Sequence, residues 1–357
     1  MNNDKEKGKV KSEKVRNSKL FHSSFCPVPL YLVWLEWPEK CFRMDAEALR
    51  YLQRVVGAKG RVVRVRSERA FLKALPQATH ALVWNFKEEW FAKAPRLKVL
   101  ATPAAGQEFV PTKGPKGVKI HFGSFHGEIM SETVAAFMLA WRRGFFRLRE
   151  KAIANDPWPR KWLSDKCSTV VGSEAVIFGF GNVGRAIGDL LDRLGVLVTG
   201  VTRHGVYKWK APKGEAPSSA LVREWNFSSL TSGEDAASPL LKTADWVILA
   251  LPSTTGTDNF FDAKLIRKLP RKCVVINVGR GNAVDEKALY QALKTKRLAG
   301  AYLDVRKHEP SATVLESPGY VPELADLPNC IVTPHSAAFD AKYLYLFLME
   351  LIRDRCL

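Results

Sequence analysis

The chain has 357 residues, 46% of them hydrophobic, which is enough for two packed cores of ordinary size. Its net charge of +19 clusters between Lys5 and Lys19 and between Arg142 and Lys161, without any helix-turn-helix, zinc-finger or RNA-binding signature. A solvated basic surface that attracts anionic small molecules is therefore favoured over a nucleic-acid function.

No apolar run approaches the roughly 20 residues of a membrane helix, and no apolar signal region follows the charged N-terminus. Six scattered cysteines form no Cys-x-x-Cys pair, which argues against a zinc ribbon or a disulfide framework. A cytoplasmic protein with reduced thiols, no membrane contact and no metal is expected.

Residues 1–20 read as a lysine-rich, disordered tail. Apolar runs at Leu30 to Leu35, Val62 to Val65, Ala81 to Trp84, Val99 to Ala101 and Val118 to Phe122 follow, separated by amphipathic segments such as Ala46 to Val56. They predict a small parallel sheet with helices on it. From Glu128 to Ala154 the pattern predicts one long helix that carries the chain to a second region.

That region opens with Val176-Ile177-Phe178, a short apolar strand that breaks into Gly179-Phe180-Gly181-Asn182-Val183-Gly184 and then into a helix ending at Gly195. The first glycine permits a tight turn, the second lets the backbone approach a pyrophosphate, and the third lets helix and strand pack closely. The phosphate would lie at the amide-rich helix N-terminus. A glycine triplet alone is weak evidence, but strand, loop, helix and the next strand at Val196 to Val201 are the context that a dinucleotide site requires.

The end of that next strand reads Val201-Thr202-Arg203-His204. No carboxylate stands where one would accept hydrogen bonds from a free ribose hydroxyl, and Arg203 is a planar donor suited to a 2′-phosphate. Lys208 and Lys210 add to the positive charge there. The cofactor expected is NADP, with NAD as the alternative if Arg203 is only a solvated loop cation.

Strands at Trp246 to Leu251, Val274 to Val278 and Ala301 to Val305 continue the second sheet. Three strand ends there carry reactive side chains: Asn277-Val278-Gly279-Arg280-Gly281, Asp304-Val305-Arg306-Lys307-His308-Glu309, and Thr333-Pro334-His335. Ligands of open α/β sheets bind outside the carboxyl ends of the strands, so an arginine fork, a glutamate and a histidine there suit a carboxylate anchor, an orienter and a general acid. Singly, each could be a strand cap, a satisfied structural acid or a surface histidine; in this order after a cofactor loop they read as one site. His308 could compete with His335 but sits within a turn. His121 and His126 could line the substrate side or be ordinary loop histidines.

From Leu97 to Ala338 the sequence resembles the D-isomer-specific 2-hydroxyacid dehydrogenases, and within them the glyoxylate/hydroxypyruvate reductases. The motifs that carry the resemblance occur in family order: Leu97-Lys98-Val99-Leu100 with Gly106, Gly179 to Gly184, Ala250-Leu251-Pro252 with Thr257, Asn277 to Gly281, Leu303-Asp304-Val305 with Glu309-Pro310, and Thr333-Pro334-His335.

The resemblance implies a Rossmann-type doubly wound sheet (127–337) inserted into a smaller flavodoxin-like α/β substrate domain (21–126, completed by 338–357), in a homodimer. It implies that Arg280 binds the carboxylate of a small 2-oxo or 2-hydroxy acid, that Glu309 orients His335, and that His335 exchanges the proton. The amides of Ala105 and Gly106 would hold the same carboxylate from the other side. Thr202, Arg203, Leu251, Pro252, Thr257, Val278, Gly279 and Asp304 would join the glycine loop in holding the cofactor, with Asp304 at the nicotinamide carboxamide. Glu309, where formate dehydrogenases carry glutamine, argues against that activity. The segment after Ala341 is short for the last helix, which in the family packs back on the first domain. A nicotinamide-sensing protein like the corepressors of this fold is the alternative of another class.

Overall fold

The structure, a computed structural model, describes residues 28–148, 156, 158–202, 239–309 and 323–357. The basic tail, Arg203, Lys208 and Lys210 lie outside the described residues.

Two parallel sheets organise the chain. The first comprises β1 (Leu30–Trp34), β2 (Arg61–Arg64), β3 (His80–Val83), β4 (Val99–Thr102) and β5 (Lys119–Phe122), in the order β2-β1-β3-β4-β5. Leu32 sits in register between Val63 and Ala81. Helix α1 (Ala46–Val56) starts where the Asp45 side chain accepts the Ala48 amide at 2.7 Å and stops at Gly57, whose φ of 64° suits glycine. It covers one face of the sheet, and α2 (Glu68–Ala74), with Phe71, and Leu75 just after it cover the other.

The second sheet runs β11-β10-β9-β8-β6-β7, with β6 (Glu174–Phe178), β7 (Leu197–Val201), β8 (Trp246–Leu249), β9 (Val274–Asn277), β10 (Gly300–Leu303) and β11 (Cys330–Val332). Every pairing is parallel. Strands β8, β9 and β10 are buried along their whole length, as a sheet covered on both faces requires. Helices α3 (His126–Arg142) and α4 (Asn182–Arg193) cover one face; α5 (Ala263–Lys268) and α6 (Glu286–Lys294) cover the other. The sheet turns back on itself between β6 and β8, and such a reversal opens a crevice at the strand ends.

The single helix expected over Glu128 to Ala154 is shorter than that. Helix α3 ends at Arg142; the Arg143 amide closes it onto the Leu139 and Trp141 carbonyls, and Gly144 follows with a φ of 71°. The backbone is helical again over 145–148, and residues 149–154 lie outside the described set. A run of arginines hides this break from a hydrophobic pattern, whereas the left-handed glycine marks it. At its other end α3 closes on α4, because Gly127 has no Cβ to meet that of Ala186.

The last helix, α7 (Tyr343–Arg353), is short but fully used. Tyr343, Leu344, Phe347, Leu348 and Leu351 share one core with Val33 and Leu82 of the first sheet and Leu52 of α1. Its Glu350 is 3% exposed and accepts the Ser124 and Phe125 amides at 3.0 Å, with the His121 ring 3.3 Å away. The chain thus leaves the first sheet at residue 123, builds the second and returns.

Candidate active site

The glycine loop lies at the reversal between β6 and β8. Gly179 has a φ of 89° and lies against the Ala250 carbonyl, while Gly184 lies against the Gly179 carbonyl, so neither position has room for a side chain. Gly181 differs, since a Cβ there would meet nothing within 4 Å. It caps α4 without a side-chain hydrogen bond, which leaves the first-turn amides around Asn182 and Val183 for another acceptor. That arrangement fits a dinucleotide pyrophosphate. The ring of Phe180 is buried in contact range of Gly188 and Gly200, and so supports the loop from beneath.

Around this crevice, Thr202 directly follows β7, and Leu251 is buried just after β8. The Thr257 hydroxyl donates to the Pro252 carbonyl at 2.7 Å and accepts the Thr254 amide at 3.0 Å, which fixes the loop after β8. Val278 is buried, and Gly279 is pressed against the Ala250–Leu251 backbone.

Three strand ends converge beside it. At β9, fully buried Asn277 accepts the Gly279 amide and donates to the Arg280 carbonyl, both at 3.1 Å, so the loop that presents Arg280 is bracketed by one side chain. Gly281 lies against the Arg306 backbone, where a Cβ has no space. This ties the Arg280 loop to the turn after β10. There the Arg306 guanidinium, 6% exposed, binds both oxygens of Glu286 on α6 at 2.9 and 3.0 Å. Glu309, at the end of this turn, accepts the Arg306 amide at 3.2 Å.

At β11, Asp304 organises the turn that carries His335. Its buried carboxylate receives the Thr333 hydroxyl at 2.6 Å and the Ser336 and Ala337 amides at 2.8 and 3.0 Å, and its carbonyl receives the His335 amide at 2.8 Å. His335 itself has a φ of 51°, a left-handed conformation that costs a non-glycine residue about 1 kcal/mol or more. Most of the carboxylate's capacity is spent on this turn; Oδ2 receives a single bond, from Ala337, and keeps room for a further donor.

The His335 Nδ1 stands 2.8 Å from Glu309 Oε2, leaving Nε2 for another partner. The hydrogen bond that His335 donates to the Glu309 carboxylate holds the imidazole above its usual 6.5, outweighing the opposite pull of burial. For Glu309, burial would lift the carboxyl, but the His335 hydrogen bond and charge carry it below the usual glutamate range. The pair therefore favours imidazolium beside carboxylate. His308 is exposed in its turn. His121 packs against Glu350, and His126 is 2.7 Å from the Tyr343 hydroxyl and lowered to about 4, chiefly by burial, so it is neutral at pH 7.

Arg280 reaches across to the first sheet. After β4 the chain passes through Ala105, which is exposed, and Gly106, which is half-buried, and Glu108 follows. The Arg280 Nη2 and Nε donate to Glu108 Oε1 at 3.0 and 3.3 Å, and Nη1 donates to the Gly279 carbonyl at 3.0 Å. Sequence reasoning passed over Glu108, Asn277 and the Glu286–Arg306 pair as functional positions. Asn277 is the first residue of the Asn277–Gly281 motif, without a role assigned to it there; the other two depend on partners distant in sequence.

Residues 135–337 match the family described as D-isomer specific 2-hydroxyacid dehydrogenase, NAD binding domain. Among curated relatives, the glyoxylate/hydroxypyruvate reductase B of Pectobacterium carotovorum subsp. carotovorum is 29% identical over 262 residues, covering 72% of this chain and 74% of its own. The glycerate dehydrogenase of Methylorubrum extorquens is 28% identical over 68% of this chain and 70% of its own. In fold, the chain is similar to a D-isomer specific 2-hydroxyacid dehydrogenase from Lactobacillus delbrueckii ssp. bulgaricus in its NAD complexed form (TM-score 0.70, 17% identity, 92% of this chain and 96% of that one). It is also similar to an NADPH-dependent glyoxylate/hydroxypyruvate reductase from Sinorhizobium meliloti in complex with NADP and sulfate (TM-score 0.63, 24% identity, 92% and 94%).

Proposed function

The chain belongs to the D-isomer-specific 2-hydroxyacid dehydrogenases, nicotinamide-dependent oxidoreductases, and from that premise we propose that it reduces glyoxylate, hydroxypyruvate or a similarly small 2-oxo acid with NADPH. The observation that carries the reading is the 2.8 Å His335–Glu309 pair at strand ends next to the Arg280 loop. The names of the relatives support a small substrate and do not favour a sensor without turnover.

In this proposal the substrate unit is 21–126 with 338–357, and the cofactor unit is 127–337. The glycine loop would hold the pyrophosphate on its free amides, with Leu251, Pro252, Thr257, Val278 and Gly279 lining the nicotinamide end and Asp304 Oδ2 accepting from the carboxamide. When bound, the nicotinamide supplies the hydride. Arg280 binds the substrate carboxylate as a planar fork, with the Ala105 and Gly106 amides opposite, and so fixes the carbonyl carbon in one orientation. His335, held protonated by Glu309, gives its proton from Nε2 to the developing alkoxide oxygen. Thr202 provides no carboxylate to repel a 2′-phosphate, and Arg203 follows it as a charge-assisted donor.

Oxidation of NADPH and NADH, followed by nicotinamide absorbance with glyoxylate, hydroxypyruvate and longer 2-oxo acids, tests the proposal. Turnover with the two small acids and a higher kcat/KM for NADPH is expected. Equal or better efficiency with NADH would remove the NADP assignment alone. Tight cofactor binding without turnover of any 2-oxo acid would overturn the reductase reading.

A further inference from the structure

Glu108 places a carboxylate on the arginine that the proposed function reserves for the substrate. Its Oε1 takes both Nε and Nη2 of Arg280, at 3.3 and 3.0 Å. Its Oε2 lies against the backbone of Gly106, closely enough that any Cβ at 106 would strike it. The group is thus bounded by the guanidinium on one side and the 105–106 turn on the other, the two elements expected to clamp a 2-oxo acid.

The backbone on either side of Glu108 is secured. The Thr102 hydroxyl accepts the Ala104 amide at 3.2 Å, the Phe109 carbonyl accepts the Phe86 amide at 3.0 Å, and Val110 is buried. The Glu108 side chain, by contrast, is 51% exposed and that of Arg280 is 30% exposed. A screened pair on a fixed backbone can open by side-chain rotation without unfolding the turn.

We infer that Glu108 is a resident carboxylate that occupies the Arg280 fork in the substrate-free enzyme and is displaced by the carboxylate of the incoming 2-oxo acid. This rests on the assignment of Arg280 as the substrate anchor. The contact keeps the arginine charge satisfied between turnovers and raises the KM for every substrate that must displace it. Once displaced, Glu108 stays next to the bound acid and disfavours substrates with a second carboxylate, so it acts through Arg280 as a positioning and selectivity residue.

The test compares wild type with Glu108→Gln and Glu108→Ala. Because the pair is partly solvent-screened, the KM for glyoxylate should fall roughly 3- to 10-fold in both variants, with kcat moving less than KM and the KM for NADPH unmoved. Relative kcat/KM for oxaloacetate over glyoxylate should rise. Phenylglyoxal modification of Arg280, read by peptide mass spectrometry, should be faster in both variants, and oxamate should protect at lower concentration.

An unchanged or raised glyoxylate KM together with an unchanged modification rate would overturn the inference. The modification arm needs no turnover, so it still reads the contact if the enzyme reduces no 2-oxo acid. Arg280→Lys separates the two ideas. If it leaves the glyoxylate KM unaltered, the anchor assignment fails; if it raises KM while the Glu108 variants behave like wild type, only the present inference fails.

Discussion

The two sides of the candidate cleft are built differently. On the side of the second sheet, each loop at a strand end is tied to the next: Asn277 brackets Gly279 and Arg280, Gly281 lies on Arg306, Glu309 accepts the Arg306 amide, and Asp304 gathers the 333–337 turn. On the side of the first sheet, the 103–108 turn is secured at its ends but presents an exposed alanine and a half-exposed glutamate between them. A proton donor must meet its target within a few tenths of an ångström, whereas the wall that admits the substrate must yield. The braced side is suited to the first task and the looser side to the second.

The comparison breaks most sharply at His335. His335→Ala should lower kcat for 2-oxo acid reduction by roughly 10²- to 10⁴-fold, as loss of a positioned general acid does, with cofactor affinity retained in a fluorescence titration. Wild-type turnover would transfer the proton to His308 or solvent.

Next is Asp304→Ala, which strips acceptors from one buried amide, one half-buried amide and a hydroxyl. We expect roughly 3 kcal/mol or more of lost stability in urea unfolding, together with a fall in kcat as the His335 turn loosens. A variant that melted like wild type would mean that the turn does not depend on this carboxylate.

Glu350→Gln tests the other side. Burial would raise this carboxyl, but the His121 ring beside it and hydrogen bonds from Ser124 bring it down to about 2. Being depressed, it stabilises the fold fully above the usual glutamate value near 4.5, and that contribution fades as pH falls toward 2. Its worth is on the order of 2–3 kcal/mol at neutral pH. The variant should unfold more easily at pH 7 and lose the difference at pH 2–3. Equal melting at pH 7 would remove the clasp between α7 and Ser124.

The smallest effect is expected from Glu309→Gln. Because His335 titrates above 6.5, reduction should be full at low pH and decline as pH rises through that raised value. Replacing the carboxylate should slide the decline toward 6.5, which a pH profile of kcat would detect. A profile that stayed in place would assign the limb to another group.

Much of this architecture is legible in the chain. Parallel strands buried on both faces leave apolar runs such as Val247 to Leu249, and the amphipathic spacing of Ala46 to Val56 marks α1. The strand-end arginine, glutamate and histidine could be picked out because their motifs are local. The end of α3 escaped because arginines continue past Arg142 and the break lies in the backbone of Gly144. Glu108 and Arg280 lie 172 positions apart, and Glu286 and Arg306 lie 20 apart on different elements. No periodicity encodes such pairs; they exist only once loops from separate strands have been brought together.

The left-handed backbone of His335 implies a trade between durability and reactivity. At a φ of 51° the residue that relieves the backbone best is glycine, with asparagine next, and neither can deliver a proton as an imidazolium does. Selection for thermal endurance alone would therefore drift away from histidine at this position. In the proposed reaction its presence marks a place where the chain keeps conformational strain in exchange for chemistry, held in place by the Asp304 carboxylate beneath it.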